Sequence, residues 1–308
     1  MAYEEKIYEY YSSIEHEMSW AGNYGAKGER RSPRRKPTKE EIAKQNQRNR
    51  EKYVRRLIKG NFNPGDLLST LKYPQGSRPT IERVEKDMTN FIKSMRRAYK
   101  KAGTELKYIY RIEIGSKGGI HIHIITNRLP NGNTDLLIQE KWKHGRVNYQ
   151  TIHEQGGYAA LASYMVKGYE EEQYEQLSLF PEKEQKKLKK YSPSRNLKKP
   201  KPKVKKFKRR TMRKILTEGP EPTKGFYIDK NSIQKGINPY TGRSYCHYIE
   251  YRIKDERGKR QHDIGNSRRK TVTTTKKNKS TKKDGNKHGN IKRRGMEPVA
   301  TTQSDIKQ

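Results

Sequence analysis

Two histidines, His121 and His123, stand two residues apart in the alternating run Ile120-His121-Ile122-His123-Ile124. In a strand, residues i and i+2 share a face, so both imidazoles point one way and the isoleucines point the other, into a core. Glu113 lies upstream, and the glycine-rich stretch Gly115-Ser116-Lys117-Gly118-Gly119 between them reads as a tight turn. If Gly115 pairs with Gly119, Glu113 falls directly opposite His121 and the three side chains converge. Glycine at position 118 suits the left-handed backbone of such a hairpin loop. One carboxylate and two imidazoles leave coordination positions open, as a catalytic metal site requires, and accept Mg²⁺, Mn²⁺ or Zn²⁺. The competing reading is a half-buried His-Ile-His strand that binds nothing.

A second pair gives such a metal something to do. Tyr164 and Lys167 fall one helical turn apart in the alanine-rich run Tyr158–Gly168. A free tyrosine has a pKa of about 10, so only about 0.1 % is phenolate at neutral pH. As a nucleophile it needs a cation nearby and an electrophile that is already polarised. Tyr-x-x-Lys alone is a weak signal in a chain with 21 tyrosines; the histidines give it weight. Tyr158 and Tyr169 are rivals without a lysine three residues on.

The elements that must position these groups follow from periodicity. Thr38-Lys39-Glu40-Glu41 has the form of a capped helix start, predicting a helix to about Lys59 with Ile42, Tyr53, Leu57 and Ile58 on its apolar side and a cationic surface suited to phosphate. Leu67 to Tyr73 reads as a short strand. Ile81, Val84, Met88, Phe91, Ile92, Met95 and Tyr99 predict an amphipathic helix, with Gly103 closing it. Leu106–Ile114 and the histidine run form a hairpin, Asp135–Trp142 a short helix, and Gly145–Ile152 a further strand. The expectation is an α+β fold, an antiparallel sheet carrying the His-x-His strand with helices on one face.

The 308 residues hold 71 Lys and Arg against 34 Asp and Glu, a net charge of +37, which points to a polyanionic partner such as nucleic acid. Hydrophobic residues make up only 30 %, too few for one core over the whole length. The expected organisation is a basic N-terminal arm and helix over 1–60, with residues 1–36 loosely ordered, and a catalytic domain over 61–182. A basic linker with a small accessory segment over 183–254 and a disordered basic tail over 255–308 complete it. Cys246 is the only cysteine, which excludes an intrachain disulfide and a zinc finger. No apolar run reaches membrane-spanning length, and a cytoplasmic location is expected.

These residues resemble a known family. His121-Ile122-His123-Ile124-Ile125 is similar to the His-hydrophobe-His motif of the HUH endonucleases, and Tyr164-Met165-Val166-Lys167 to their Tyr-x-x-Lys motif. Leu67-Leu68-Ser69-Thr70-Leu71-Lys72-Tyr73 resembles the first, structural motif of the rolling-circle replication initiators of bacterial plasmids and phages. Lys72 departs from it, standing where members often have a second threonine. The motif order matches the initiators; relaxases typically place the tyrosine first. The resemblance, firm over about 61–170, implies a metal-assisted nick in single-stranded DNA at a replication origin. Tyr164 would be the single nucleophile, and Glu113, His121 and His123 the ligands of Mg²⁺ or Mn²⁺. Lys167 would neutralise phosphate and tyrosinate charge. A 5′-phosphotyrosine and a free 3′-hydroxyl result, and the ends are later rejoined. No G-x-x-x-x-G-K-[ST] loop is present, so a host helicase and DNA polymerase are the expected partners. A relaxase or HUH transposase, or a non-enzymatic basic nucleic-acid binder, are the alternatives.

Overall fold

The computed structural model describes residues 3–22, 30–115, 117–153, 158–167, 191–207 and 212–253. The chain divides into two units, Met1–Lys254 and Asp255–Gln308, and the described residues all fall in the first. The expected tail over 255–308, Tyr169, Ser116 and most of the Lys/Arg-rich stretch before Tyr191 lie outside the described residues.

Two antiparallel sheets organise this unit. The first has five strands: β3 (Leu67–Lys72), β4 (Tyr108–Ile114), β5 (Ile120–Thr126), β6 (Val147–Thr151) and β7 (Ser192–Pro193). Their order is β6-β3-β5-β4-β7, which places the histidine strand at the centre. On one face Leu67, Leu71, Ile112, Ile120, Ile122 and Ile124 pack against α2 (Ile81–Lys101) and α3 (Thr134–Lys141). All seven apolar residues that predicted α2 are buried, each such side chain contributing about 1.5–3 kcal/mol. Thr80 caps that helix by accepting from the Arg83 N–H, and Gly103 leaves it with φ 68.

The opposite face carries the histidines, and helices cover this face too, where only one covered face was expected. Ile109 and Ile125 pack there against α1 (Lys39–Asn61) and α4 (Ala159–Val166). Thr38 and Glu41 form a reciprocal capping box at the start of α1, as its sequence predicts. Its buried stripe is Val54, Leu57 and Ile58, whereas Ile42 and Tyr53 are exposed. The expected apolar side was therefore right only in its last turn.

Within the expected loose arm, residues 3–20 form a paired hairpin. β1 (Tyr3–Glu9) and β2 (Ser13–Trp20) form a hairpin in a second sheet with β8 (Lys203–Phe207), β9 (Phe226–Ile228), β10 (Gln234–Asn238) and β11 (Arg243–Arg252). Its order is β10-β11-β2-β1-β8, with β9 also on β11. The stretch expected to hold a linker and a small accessory segment thus completes a sheet begun at the N-terminus. Tyr3, Met18, Cys246 and Tyr248 on one face pack against α5 (Arg213–Glu218) through Met212 and Ile215.

The other face of this sheet meets the cationic side of α1. Glu15 is ion-paired to Arg55, Arg56 and Lys59 at 2.9 Å, and Glu17 to Lys52 and Arg56 at 2.9 Å. Arg56 also lies 3.6 Å from the ring centre of Tyr8. Although burial opposes ionisation, the surrounding cations hold both carboxyls down to about 2. The cations of the second half of α1, read from sequence as phosphate contacts, are thus committed to joining two layers of the protein.

Candidate active site

The β4–β5 hairpin has the predicted register: Glu113 pairs with His121 and Arg111 with His123. The Gly115 N–H donates to the Gly119 carbonyl at 2.8 Å, and Gly118 is left-handed at φ 76. On β3, Thr70 lies opposite His123 and Lys72 opposite His121. One face of three central strands therefore presents Arg111, Glu113, His121, His123, Thr70 and Lys72. Lys72, where the sequence departs from the expected motif, stands on the histidine face opposite His121.

The nucleophile candidate reaches this face from above. The Tyr164 hydroxyl lies 2.8 Å from His123 Nε2 and 3.4 Å from Glu113 Oε2, and the two rings meet edge-on at 4.9 Å. Glu113 Oε2 is 2.7 Å from His123 Nε2, and the Thr70 hydroxyl is 3.2 Å from His123 Nδ1. Tyr164, His123 and Glu113 thus form one contact group. His121 does not join it. Its ring centre is 6.4 Å from that of His123, and it lies along the hairpin glycines, where a Cβ on Gly119 would sit 4.0 Å from its Nε2. Among the described residues, no three His, Cys, Asp or Glu side chains converge as a metal-holding group.

The donor set nevertheless suits a hard divalent ion. Two neighbouring ligands on octahedral bonds of about 2.1 Å lie about 3 Å apart, close to the Glu113–His123 separation of 2.7 Å. Burial first, and then the charge of Lys72, lower the His121 pKa, which favours the neutral imidazole that a ligand must be. Convergence of all three groups needs a rotation of the His121 side chain.

Tyr164 sits in a poor place to ionise. Burial, and then the negative charge of Glu113, push its phenol up to about 12. At that value about one molecule in 100,000 is phenolate at pH 7; the Arg111 charge works the other way without offsetting burial and Glu113. Lys167 ends α4, its backbone already extended at ψ 135 and its side chain exposed. Tyr158, the rival, is buried at the start of α4 with φ 62, the one left-handed non-glycine among the described residues. An open cavity of about 560 Å³ borders Tyr164 and His123, running over Thr70 towards Gln150 and His153.

Sequence reasoning missed Arg111. It is only 2 % exposed, and its Nη1 donates to the Tyr164 carbonyl at 2.7 Å, while Nη2 lies 3.9 Å from Glu113 Oε1. Gln47 of α1 donates to the Val166 carbonyl at 2.9 Å. The last carbonyls of a helix lack partners within it, and an eight-residue helix is marginal alone. Arg111 and Gln47 supply those partners. The available signal was position, because Arg111 precedes Glu113 by two residues on an alternating strand.

Residues 66–169 match the family of replication-associated proteins of the ORF2 type. The match covers about a third of the chain, and over it the chain is similar to that family. The match runs from the residue before β3 to just past α4, so it takes in the central strands, the Glu113–His123 pair, Tyr164 and Lys167. The second sheet lies outside it. Comparison with curated proteins and with solved structures gave no match. Among the described residues no helix is long and apolar enough to cross a membrane.

Proposed function

We propose that this protein is a rolling-circle replication initiator, a metal-dependent endonuclease that nicks one DNA strand at an origin through Tyr164. One observation carries the reading: within the residues that match the replication-associated family, a tyrosine hydroxyl lies within 3.4 Å of both a histidine and a glutamate, which are themselves 2.7 Å apart. Glu113, His121 and His123 would hold Mg²⁺ or Mn²⁺. When bound, such an ion would supply Lewis acidity to the scissile phosphate and further positive charge beside the Tyr164 phenol.

Tyr164 Oη gives up its proton to solvent and attacks phosphorus in line. The Oη–P bond forms as the P–O3′ bond breaks, and the departing oxygen takes up a proton to become the free 3′-hydroxyl, so no net proton is gained or lost. The phosphoester is conserved as a 5′-phosphotyrosine, so the reverse attack by a 3′-hydroxyl rejoins ends. Arg111 fixes Tyr164 through its carbonyl. Lys167 offsets the charge of phenolate and phosphate. The cavity beside Tyr164 is placed to receive the single strand. Host helicase and polymerase would extend the 3′-end in the cytoplasm.

The test is incubation with single-stranded oligonucleotides tiling the replicon, with Mn²⁺ or with EDTA. An SDS-resistant protein–DNA adduct that requires the metal is expected. No adduct on any oligonucleotide would overturn the proposal.

A further inference from the structure

The basic run Arg30-Arg31-Ser32-Pro33-Arg34-Arg35-Lys36 lies outside the residues that match the replication-associated family and outside the nicking site. It is not a loose stretch. The Ser32 N–H donates to the Gly242 carbonyl at 3.0 Å and the Arg35 N–H to the Pro239 carbonyl at 3.1 Å, which docks the run on the turn between β10 and β11. Arg31 Nε donates to the Thr241 carbonyl at 2.8 Å. Gly242, at φ 64, admits this approach because any Cβ there would fall 2.2 Å from the Ser32 carbonyl oxygen.

The docking gathers guanidinium groups. Arg31 and Arg243 each lie 5.8 Å from the ring centre of Trp20. Arg35 lies 5.4 Å over Tyr240 and is also held by Glu41 at 2.7 Å. Partial desolvation, and then the charges of Arg34 and Arg243, hold Arg31 below its ordinary pKa. Arg31 and Arg243 thus share one ring, and Arg34 is exposed in the same docked run, so the surface offers three guanidinium groups to an anion. Because the backbone is fixed, little freedom is lost when that anion arrives.

We propose that Arg31, Arg34 and Arg243 form a docking surface for the phosphate backbone of duplex DNA, separate from the single-strand site at Tyr164. That the polyanion is DNA rests on the replication reading. That it is duplex follows from the rings: single-strand sites stack bases on open aromatic faces, and here both Trp20 and Tyr240 already carry guanidinium groups. The surface reads phosphates and gives affinity without base sequence.

The test titrates a fluorescent duplex of arbitrary sequence, and one strand of it, into full-length protein across a range of salt. The triple variant R31Q/R34Q/R243Q should lower the log–log salt slope for duplex by about 2–3, at about 0.9 per phosphate lost, and weaken binding roughly tenfold to a hundredfold at physiological salt. A control of equal charge change, K86Q/K93Q/R97Q on the exposed side of α2, should leave the slope near wild type. An unchanged slope in the arginine variant, an equal loss in the control, or an equal loss on the single strand overturns the proposal. If the triple variant does not fold, R31Q/R34Q, which leaves the sheet intact, should lower the slope by about 2. The titration needs no nicking, so its outcome stands apart from the adduct assay.

Discussion

Arg111→Met removes the group that ties the tyrosine helix to the central sheet beside the histidine strand. Arg111 is buried, and its bond to the Tyr164 carbonyl is a charge-assisted one of 2.7 Å, the kind that contributes about 1.5–3 kcal/mol. The same change leaves Glu113 without its neighbouring cation at 3.9 Å, and breaking a buried pair raises the total to about 3–5 kcal/mol. At about 2–4 °C per kcal/mol for a unit of this size, thermal unfolding should shift down by about 10 °C. Loss of the carbonyl contact lets α4 drift, and a displacement of about 1 Å at a nucleophile costs about a hundredfold in rate. The assay is the single-turnover rate of adduct formation at saturating single strand, below the new unfolding temperature, with the DNA Kd measured in parallel. The rate should fall about a hundredfold while Kd stays within about twofold, because Arg111 is buried beneath the helix. Arg111→Lys keeps the charge and should recover part of the stability and little of the rate. A wild-type rate in either variant, or a loss that follows Kd alone, would refute the positioning role.

Three further outcomes are expected. Glu15 and Glu17 titrate near 2 in the folded protein, below the ordinary carboxylate range, so their ionic layer stabilises the fold above about pH 4.5 and is lost as pH falls towards 2. His247, whose pKa burial and then Lys52 lower to about 4, adds a loss between about pH 6.5 and 4, because only the unfolded state takes up its proton there. Unfolding temperature measured against pH should therefore fall in two stages on acidification, and Glu15→Gln should cost about 3–5 kcal/mol at neutral pH by leaving Arg55, Arg56 and Lys59 uncompensated. Lys167→Ala should reduce the adduct rate at least tenfold with stability changed by less than about 0.5 kcal/mol, since the side chain is exposed; calorimetry and adduct kinetics check the two halves.

What the sequence made legible was local. The apolar spacing of α2, the capping box at Thr38 and the turn glycines of the β4–β5 hairpin each specify structure within about twenty residues, and all three formed as read. Glu113, His121 and His123 followed from that register. β character over 226–228 and 245–253 was legible, but the pairing of the second sheet was not, because β2 pairs with β11 across most of the described chain, from Ile14 to Glu250. Its inner face carries Glu15 and Glu17, which reads as a solvated strand until the cations of α1 are laid against it. Arg111 was hidden for the same reason: a charge on a strand looks external until the helix that buries it is in place. The His121 ring orientation depends on a rotamer that no sequence pattern encodes.

The central claim is that Tyr164 is the group that takes the DNA. Its most direct test is mass spectrometry of the protease-digested adduct formed with Mn²⁺ and the cleaved oligonucleotide. The account predicts a 5′-phosphonucleotide on the peptide containing Tyr164, and no adduct from the Tyr164→Phe protein. Attachment at another residue, or an adduct that survives Tyr164→Phe, would contradict it.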